Sequence, residues 1–281
     1  MTTSAASTPQ LTTPSVGRRA AKRLAFVADD VRPVQSGSVI LAYHRVGART
    51  VSPVDLPTNL FCRQMSHLCA AMNVRPLDDV VSVLESGDRA CEGVVLTFDD
   101  GTADFVDIVL PVLAEFELPA TLYLATGFVD SGRSYPADGA PVSWSGLRDA
   151  VSSGLVTIGA HTHNHVLLDR CSPETAAAEL DRCNERIEDE LGVSAQHFAY
   201  PKAVVARPAV EALVKSRYWS AAVAGTRPNV TGLTNVHRLH RSPIQNADGW
   251  EGFVRKVNGG MRTEDDVRRI INLARYRGKT S

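Results

Sequence analysis

From about residue 37 onward, short apolar runs alternate with longer stretches of helical period. The runs are "SVILAY" 38–43, "GVVLTF" 93–98, "ATLYLAT" 120–126, "LVTIGA" 155–160, "QHFAY" 196–200, "WSAAVA" 219–224 and "NVHRL" 235–239. Between them, "FCRQMSHLCAAM" 61–72 places its apolar residues three and four apart. So does "TADFVDIVLPVLAEFE" 102–117, where Pro111 predicts a kink or boundary because it lacks an N–H and crowds the preceding turn. "SPETAAAELDRCNERIEDELG" 172–192 is the clearest helix. Ser172 can cap its N-terminus, Glu174 and Glu179 suit its early turns, and Gly192 can end it in the left-handed conformation. "RPAVEALVKSR" 207–217 is a further helix. Strands alternating with helices predict a parallel sheet, open or closed, and seven strands suit a barrel better than a short open sheet. The Gly-, Pro-, Ser- and Asp-rich segment 129–144 reads as a long surface loop, and the charged stretch from Trp250 onward as helix packed outside the core.

The rest of the sequence narrows this picture by exclusion. With 281 residues, 44% hydrophobic and 22% charged, the chain has the balance of a globular domain able to bury a large core. A formal net charge of −1 offers no basis for a nucleic-acid or anionic-membrane partner. No apolar run approaches the roughly 18–20 residues that span a bilayer. The cysteines, Cys62, Cys69, Cys91, Cys171 and Cys183, form no Cys-x-x-Cys pair and read as reduced thiols, mostly in the core. Residues 1–28 carry no acid and include the basic cluster "GRRAAKR" 17–23, a composition shared with organelle transit peptides. "LAFVADD" then reaches Asp29 too early for an export signal. The expectation is a disordered tail over 1–36, one folded domain over 37–281, and a cytoplasmic location.

Chemistry concentrates where the strands end. The run 93–98 leads into Asp99 and Asp100, and the run 155–160 into "HTHNH" 161–165. Two adjacent carboxylates at the end of a buried strand repel each other and resist desolvation unless something compensates. In parallel α/β folds the C-terminal strand ends share one face, so Asp100, His161 and His165 can converge there. One carboxylate with two imidazoles suits catalytic zinc with a position open for water, and the same donors admit Co, Ni, Mn or Fe. The second carboxylate would then stay ionised beside metal-activated water as a general base. Alone, an Asp pair is commonly a turn or a helix cap, and a His pair in a loop is commonly surface. Both at the ends of two buried strands favour a site. His163 is expected to be solvated. Tyr43 and His44 either line the pocket or cap the first strand.

At these residues the chain resembles the polysaccharide deacetylase family, the NodB-homology domain of carbohydrate esterase family 4. "TFDDG" 97–101, "HTHNH" 161–165 and "FAYPKA" 198–203 are similar to its first three motifs, "ILAYHRV" 40–46 to its opening strand, and "RLHRSPI" 238–244 to the last strand of one branch. The resemblance implies a distorted (β/α)7 barrel, in a single domain, and metal-dependent removal of an acetyl group from an N-acetylated amino sugar. By position, Asp99 would be the general base acting on metal-bound water. Asp100, His161 and His165 would hold the metal, and Tyr200 and Lys202 would meet the substrate, with a backbone N–H near Lys202 at the oxyanion. Two departures stand out. Where the family's third motif carries the Arg that orients the base, this chain has Ala199, and Lys202 stands in a Tyr position. Where the fifth motif carries its acid histidine, this chain reads Leu239-His240-Arg241, and an arginine cannot cycle a proton. His237, His240, water and protonated Asp99 remain candidates for that proton. The substrate expected is a small molecule or saccharide. The alternatives are hydrolysis of an imide or ureide C–N bond on the same barrel, and a catalytically silent carbohydrate-binding member.

Overall fold

A computed structural model describes residues 29, 35–87, 92–263 and 265–266. The expected tail over 1–36 and the thiol of Cys91 therefore lie almost wholly outside the described residues. In chain order the strands are β1 (Ser38–Tyr43), β2 (Arg45–Val46), β3 (Asp55–Leu56), β4 (Gly93–Phe98), β5 (Ala120–Leu124), β6 (Val156–Ala160), β7 (His197–Ala199), β8 (Ser220–Ala224) and β9 (Leu239–Pro243). The α-helices are α1 (Thr58–Ala71), α2 (Leu77–Ser86), α3 (Leu110–Glu115), α4 (Thr126–Ser131), α5 (Trp144–Ser152), α6 (Pro173–Leu191), α7 (Pro208–Lys215) and α8 (Gly249–Val257). Strands β1, β4, β5, β6, β7, β8 and β9 pair in that order, all parallel, and β9 returns to β1 to close a seven-stranded barrel. The closure is uneven: β1 and β4 share six register pairs, whereas β6 and β7 meet only at Ala160 and Phe198. This is the distorted (β/α)7 barrel the resemblance implies.

Two apolar layers hold it. Alternate strand residues such as Val39, Leu41, Val94, Leu96, Leu122 and Phe198 face outward and pack under the helices. Their neighbours Ile40, Val95, Tyr123, Ala199, Ala222 and Leu239 form a separate inner cluster, joined by Leu77, Val80, Val81 and Leu84 of α2. The barrel interior is thus a packed core. Its filling is lopsided. Tyr123 needs room, and Gly159 supplies it: a Cβ at Gly159 would stand 2.6 Å from the Tyr123 ring.

Several expectations are corrected in detail. The last strand begins at Leu239, because Asn235 caps a 3-10 turn over Val236–Arg238 by accepting from the His237 N–H. The stretch 102–117 divides into a π turn over Phe105–Val109 and α3, with Pro111 in the first turn of α3, where a missing N–H costs least. Segment 129–144 is not only surface: Tyr135, Gly139 and Val142 are buried. The stretch after Trp250 joins the core through Phe253 and Val257, and Lys256 is buried against Asp248. Of the four described cysteines only Cys183 is buried; Cys69 is exposed and all four are free. Helix α6 is capped as read, with the Ser172 hydroxyl accepting from the Thr175 N–H and Gly192 left-handed. Among the described residues no helix is long and apolar enough to cross a membrane.

Gly159→Ala should overpack the barrel and cost about 1–3 kcal/mol. The check is denaturant unfolding, with a lower midpoint at an unchanged slope expected.

Candidate active site

Each site residue stands at or just beyond the C-terminal end of a barrel strand, and the parallel ladder continues far enough to fix it. The Asp99 N–H donates to the Tyr43 carbonyl at 3.0 Å, the Ala125 N–H to the Asp100 carbonyl at 3.1 Å, and the His161 N–H to the Leu124 carbonyl at 2.9 Å. Past the strand ends the chain turns sharply. Asp100, Thr162, His165 and Lys202 all have φ between 55° and 77°, the left-handed region that L-residues occupy only when their surroundings impose it.

Asp100, His161 and His165 converge. The ligand atoms they offer lie within 4.8 Å of one another. His161 Nε2 is 3.7 Å and His165 Nε2 3.4 Å from Asp100 Oδ1. His161 Nδ1 lies 2.7 Å from the Ala199 carbonyl and must donate to it, so in the neutral ring Nε2 carries the lone pair. That lone pair faces a carboxylate oxygen, which is repulsive unless a cation stands between them. Burial lowers the His161 pKa and takes that of His165 down to about 4, with the charge of His161 adding to the effect on His165; Asp100 opposes it. Both rings are therefore neutral at pH 7. Two neutral imidazoles and a carboxylate fit a divalent metal of the zinc type.

Asp99 is 5% exposed and faces Arg241 instead. The guanidinium of Arg241 donates to both oxygens, Nη1 to Oδ1 at 2.5 Å and Nη2 to Oδ2 at 2.9 Å, and Nη1 also reaches the Thr97 hydroxyl at 3.1 Å. Burial would raise the Asp99 pKa. The positive charge of Arg241 and its hydrogen bonds oppose this, and the carboxyl is held well below the usual range. Arg241 is itself 3% exposed and lies 5.0 Å from the Tyr123 ring centre. The group that orients Asp99 thus comes from β9 and not from the third motif.

His44 was left open between pocket and cap. It stands at the mouth of the site, its side chain 26% exposed, with Nε2 3.8 Å from Asp99 Oδ2. Tyr43 turns the other way and bonds Gln64 in the outer core. His163 is half-buried, its Nδ1 2.8 Å from the Thr126 hydroxyl, and so is not simply solvated. Lys202 is exposed at the rim beyond β7. Tyr200 is 1% exposed and packs edge-on against Phe198, which leaves it almost no surface for a substrate. His237 reaches the Tyr218 carbonyl from the N-terminal end of β9, away from the cluster. His240 packs beside Gly225, on the strand face opposite Arg241. The sequence signal for Arg241 was its place in the last-strand motif. Its partner became visible only on folding.

A family model described as polysaccharide deacetylase matches residues 86–218. No curated protein sequence matches the chain. Solved structures that match include IcaB from Ammonifex degensii, with a TM-score of 0.69 and 21% identity over 80% of this chain and 98% of that one. Another is the deacetylase PplD of Streptococcus pyogenes in complex with acetate, at 0.66 and 20% over 79% and 98%. A de-N-acetylase from Aggregatibacter actinomycetemcomitans gives 0.64 and 18% over 78% and 99%. These likenesses show the shared fold.

Metal analysis by mass spectrometry should find about one divalent ion per chain, lost in Asp100→Ala, His161→Ala and His165→Ala. Protons compete with the metal for the imidazole lone pairs only below their pKa. Binding should therefore persist from pH 8 to about 5 and fall as the pH approaches 4, where His165 titrates.

Proposed function

The chain carries a domain of the polysaccharide deacetylase family, a family of deacetylase hydrolases, and from that premise we propose that it removes the N-acetyl group of an amino sugar or N-acetylated small molecule in a metal-dependent reaction. The observation that carries this reading is the division of labour between the adjacent carboxylates. Asp100 joins His161 and His165 in a donor set, while Asp99 is held apart, ionised, by the fork of Arg241. A divalent ion held by Asp100, His161 and His165 would supply Lewis acidity, polarising the amide carbonyl and acidifying water.

The chain's own residues would do the rest. Asp99 accepts a proton from the attacking water, and Arg241 holds its two oxygens in place throughout. A backbone N–H near Lys202 faces the developing oxyanion. When the C–N bond breaks, the amine needs a proton. His44 is the group placed to donate it, and Asp99, 3.8 Å away, can return to it the proton taken from water. The products are acetic acid and the amine, which part as acetate and ammonium, so both protons of the water are accounted for. Segment 129–144 folds against the site through Tyr135, which supports a small or enclosed substrate, and Lys202 at the rim would contact its polar groups.

Acetate release from N-acetylglucosamine-type substrates tests the reading. Asp99→Asn should abolish it while metal content stays near one per chain. Metal-loaded protein that releases no acetate from any N-acetyl sugar, oligomer or conjugate would overturn it. His44→Gln should lower kcat on the amide by about 100-fold. On p-nitrophenyl acetate, whose leaving group needs no proton, the same variant should lose much less. Equal losses on both substrates would remove His44 as the donor.

A further inference from the structure

The turn that bears the two carboxylates is clasped by a strap that no motif announces. Residues 135–142 run across it. The Val142 N–H donates to the Gly101 carbonyl at 3.0 Å and the Ala103 N–H to the Ala140 carbonyl at 2.9 Å. Between these bonds and Tyr135 the strap folds back tightly. Ala137 and Asp138 are left-handed, the Tyr135 N–H reaches the Gly139 carbonyl at 2.8 Å, and the Arg45 fork holds the carbonyls of Pro136 and Ala137 at 2.7 and 2.9 Å. A Cβ on Gly139 would stand 2.3 Å from that guanidinium, so any larger residue there would push Arg45 off its present position.

Tyr135 is what the strap delivers. Its ring is 3% exposed and stacks on Phe128 with centres 4.0 Å apart. Its hydroxyl donates to the Asp100 carbonyl at 2.5 Å. That carbonyl also accepts from the Ala125 N–H, so both its lone pairs are engaged and the Asp100–Gly101 peptide plane is fixed. Asp100 needs such fixing: its φ is 77°, a region that costs an L-residue free energy. Gly101 follows at φ 91°, where a Cβ would meet Leu124 at 2.7 Å. Burial and the charge of Asp100 push the Tyr135 pKa upward, so the hydroxyl keeps its proton.

We propose that Tyr135 is a positioning residue for the metal: by bracing the left-handed Asp100 backbone, it aims the Asp100 carboxylate at the two imidazoles and so sets metal affinity. The proposal rests on the metal-binding part of the reading above and not on the identity of the substrate. Segment 135–142 is then part of the metal site, although it contributes no ligand. A substrate that shifts the strap would also shift Asp100.

The test is Tyr135→Phe, which keeps the ring on Phe128 and removes only the hydroxyl. Zinc affinity, measured by chelator competition, should weaken about tenfold. The visible absorption of the cobalt-loaded protein should change in band position or intensity, which a merely structural role would not cause. The melting midpoint of the metal-free variant should stay within about 2 °C of wild type, because the ring still packs. Wild type and variant that bind zinc equally and give the same cobalt spectrum would overturn the role of Tyr135 alone. Wild type that binds no metal would overturn this proposal and the metal-dependent reading together. A weakened affinity with a collapsed metal-free midpoint would assign Tyr135 to folding and overturn the positioning role.

Discussion

The buried pair of Arg241 and Asp99 is the constraint on which the site depends. Two charges taken from water into a barrel interior are tolerated only because each satisfies the other, through both oxygens of one and both terminal nitrogens of the other. Removing either leaves an unpaired charge in a place that cannot solvate it. The pair therefore ties β9 to the end of β4 across β1, beside the ladder between β9 and β1 that closes the barrel. It also separates the fates of two carboxylates that are neighbours in sequence. Asp99 is committed to the guanidinium and Asp100 is left to the imidazoles.

The packing beneath explains how an arginine fits inside a barrel. Tyr123 lies across the interior with its face toward Arg241, and the space it needs is provided by Gly159. Ala199 and Ala222 keep the facing strands small. A larger residue at Gly159 would press on Tyr123, whose ring lies beside the guanidinium that holds Asp99. Stability and chemistry are thus linked through side-chain volume. Above the pair, strain takes over. Asp100, Thr162, His165 and Lys202 occupy left-handed backbone, and turns of that kind hold their shape only where neighbours brace them. The strap over 135–142 supplies that brace for Asp100.

Much of this was legible in the chain itself. Six of the seven barrel strands fall within a residue or two of the apolar runs, because burial on both faces leaves a contiguous apolar signature. Asp100, His161 and His165 could be named because each lies within five residues of the end of such a run. The seventh strand was misplaced because Asn235 turns "VHR" into a 3-10 turn before the ladder resumes at Leu239. Loop 129–144 read as surface because its composition is that of a turn, and composition does not reveal that Tyr135 and Val142 are tucked beneath it.

What the sequence by itself determined is local: which runs become strands, where helix α6 starts and stops, and which polar residues ride on the strand ends. Those follow from side-chain period, capping and turn chemistry within a few residues. Only the tertiary structure decided the partners. Arg241 reaches Asp99 across 142 positions, and Tyr135 reaches Asp100 across 35. His44 comes to the mouth of the same site from the end of β1. Such pairings depend on how seven strands close and which side chains fill the space between them. No period within the chain encodes that, because it is a property of the closed volume.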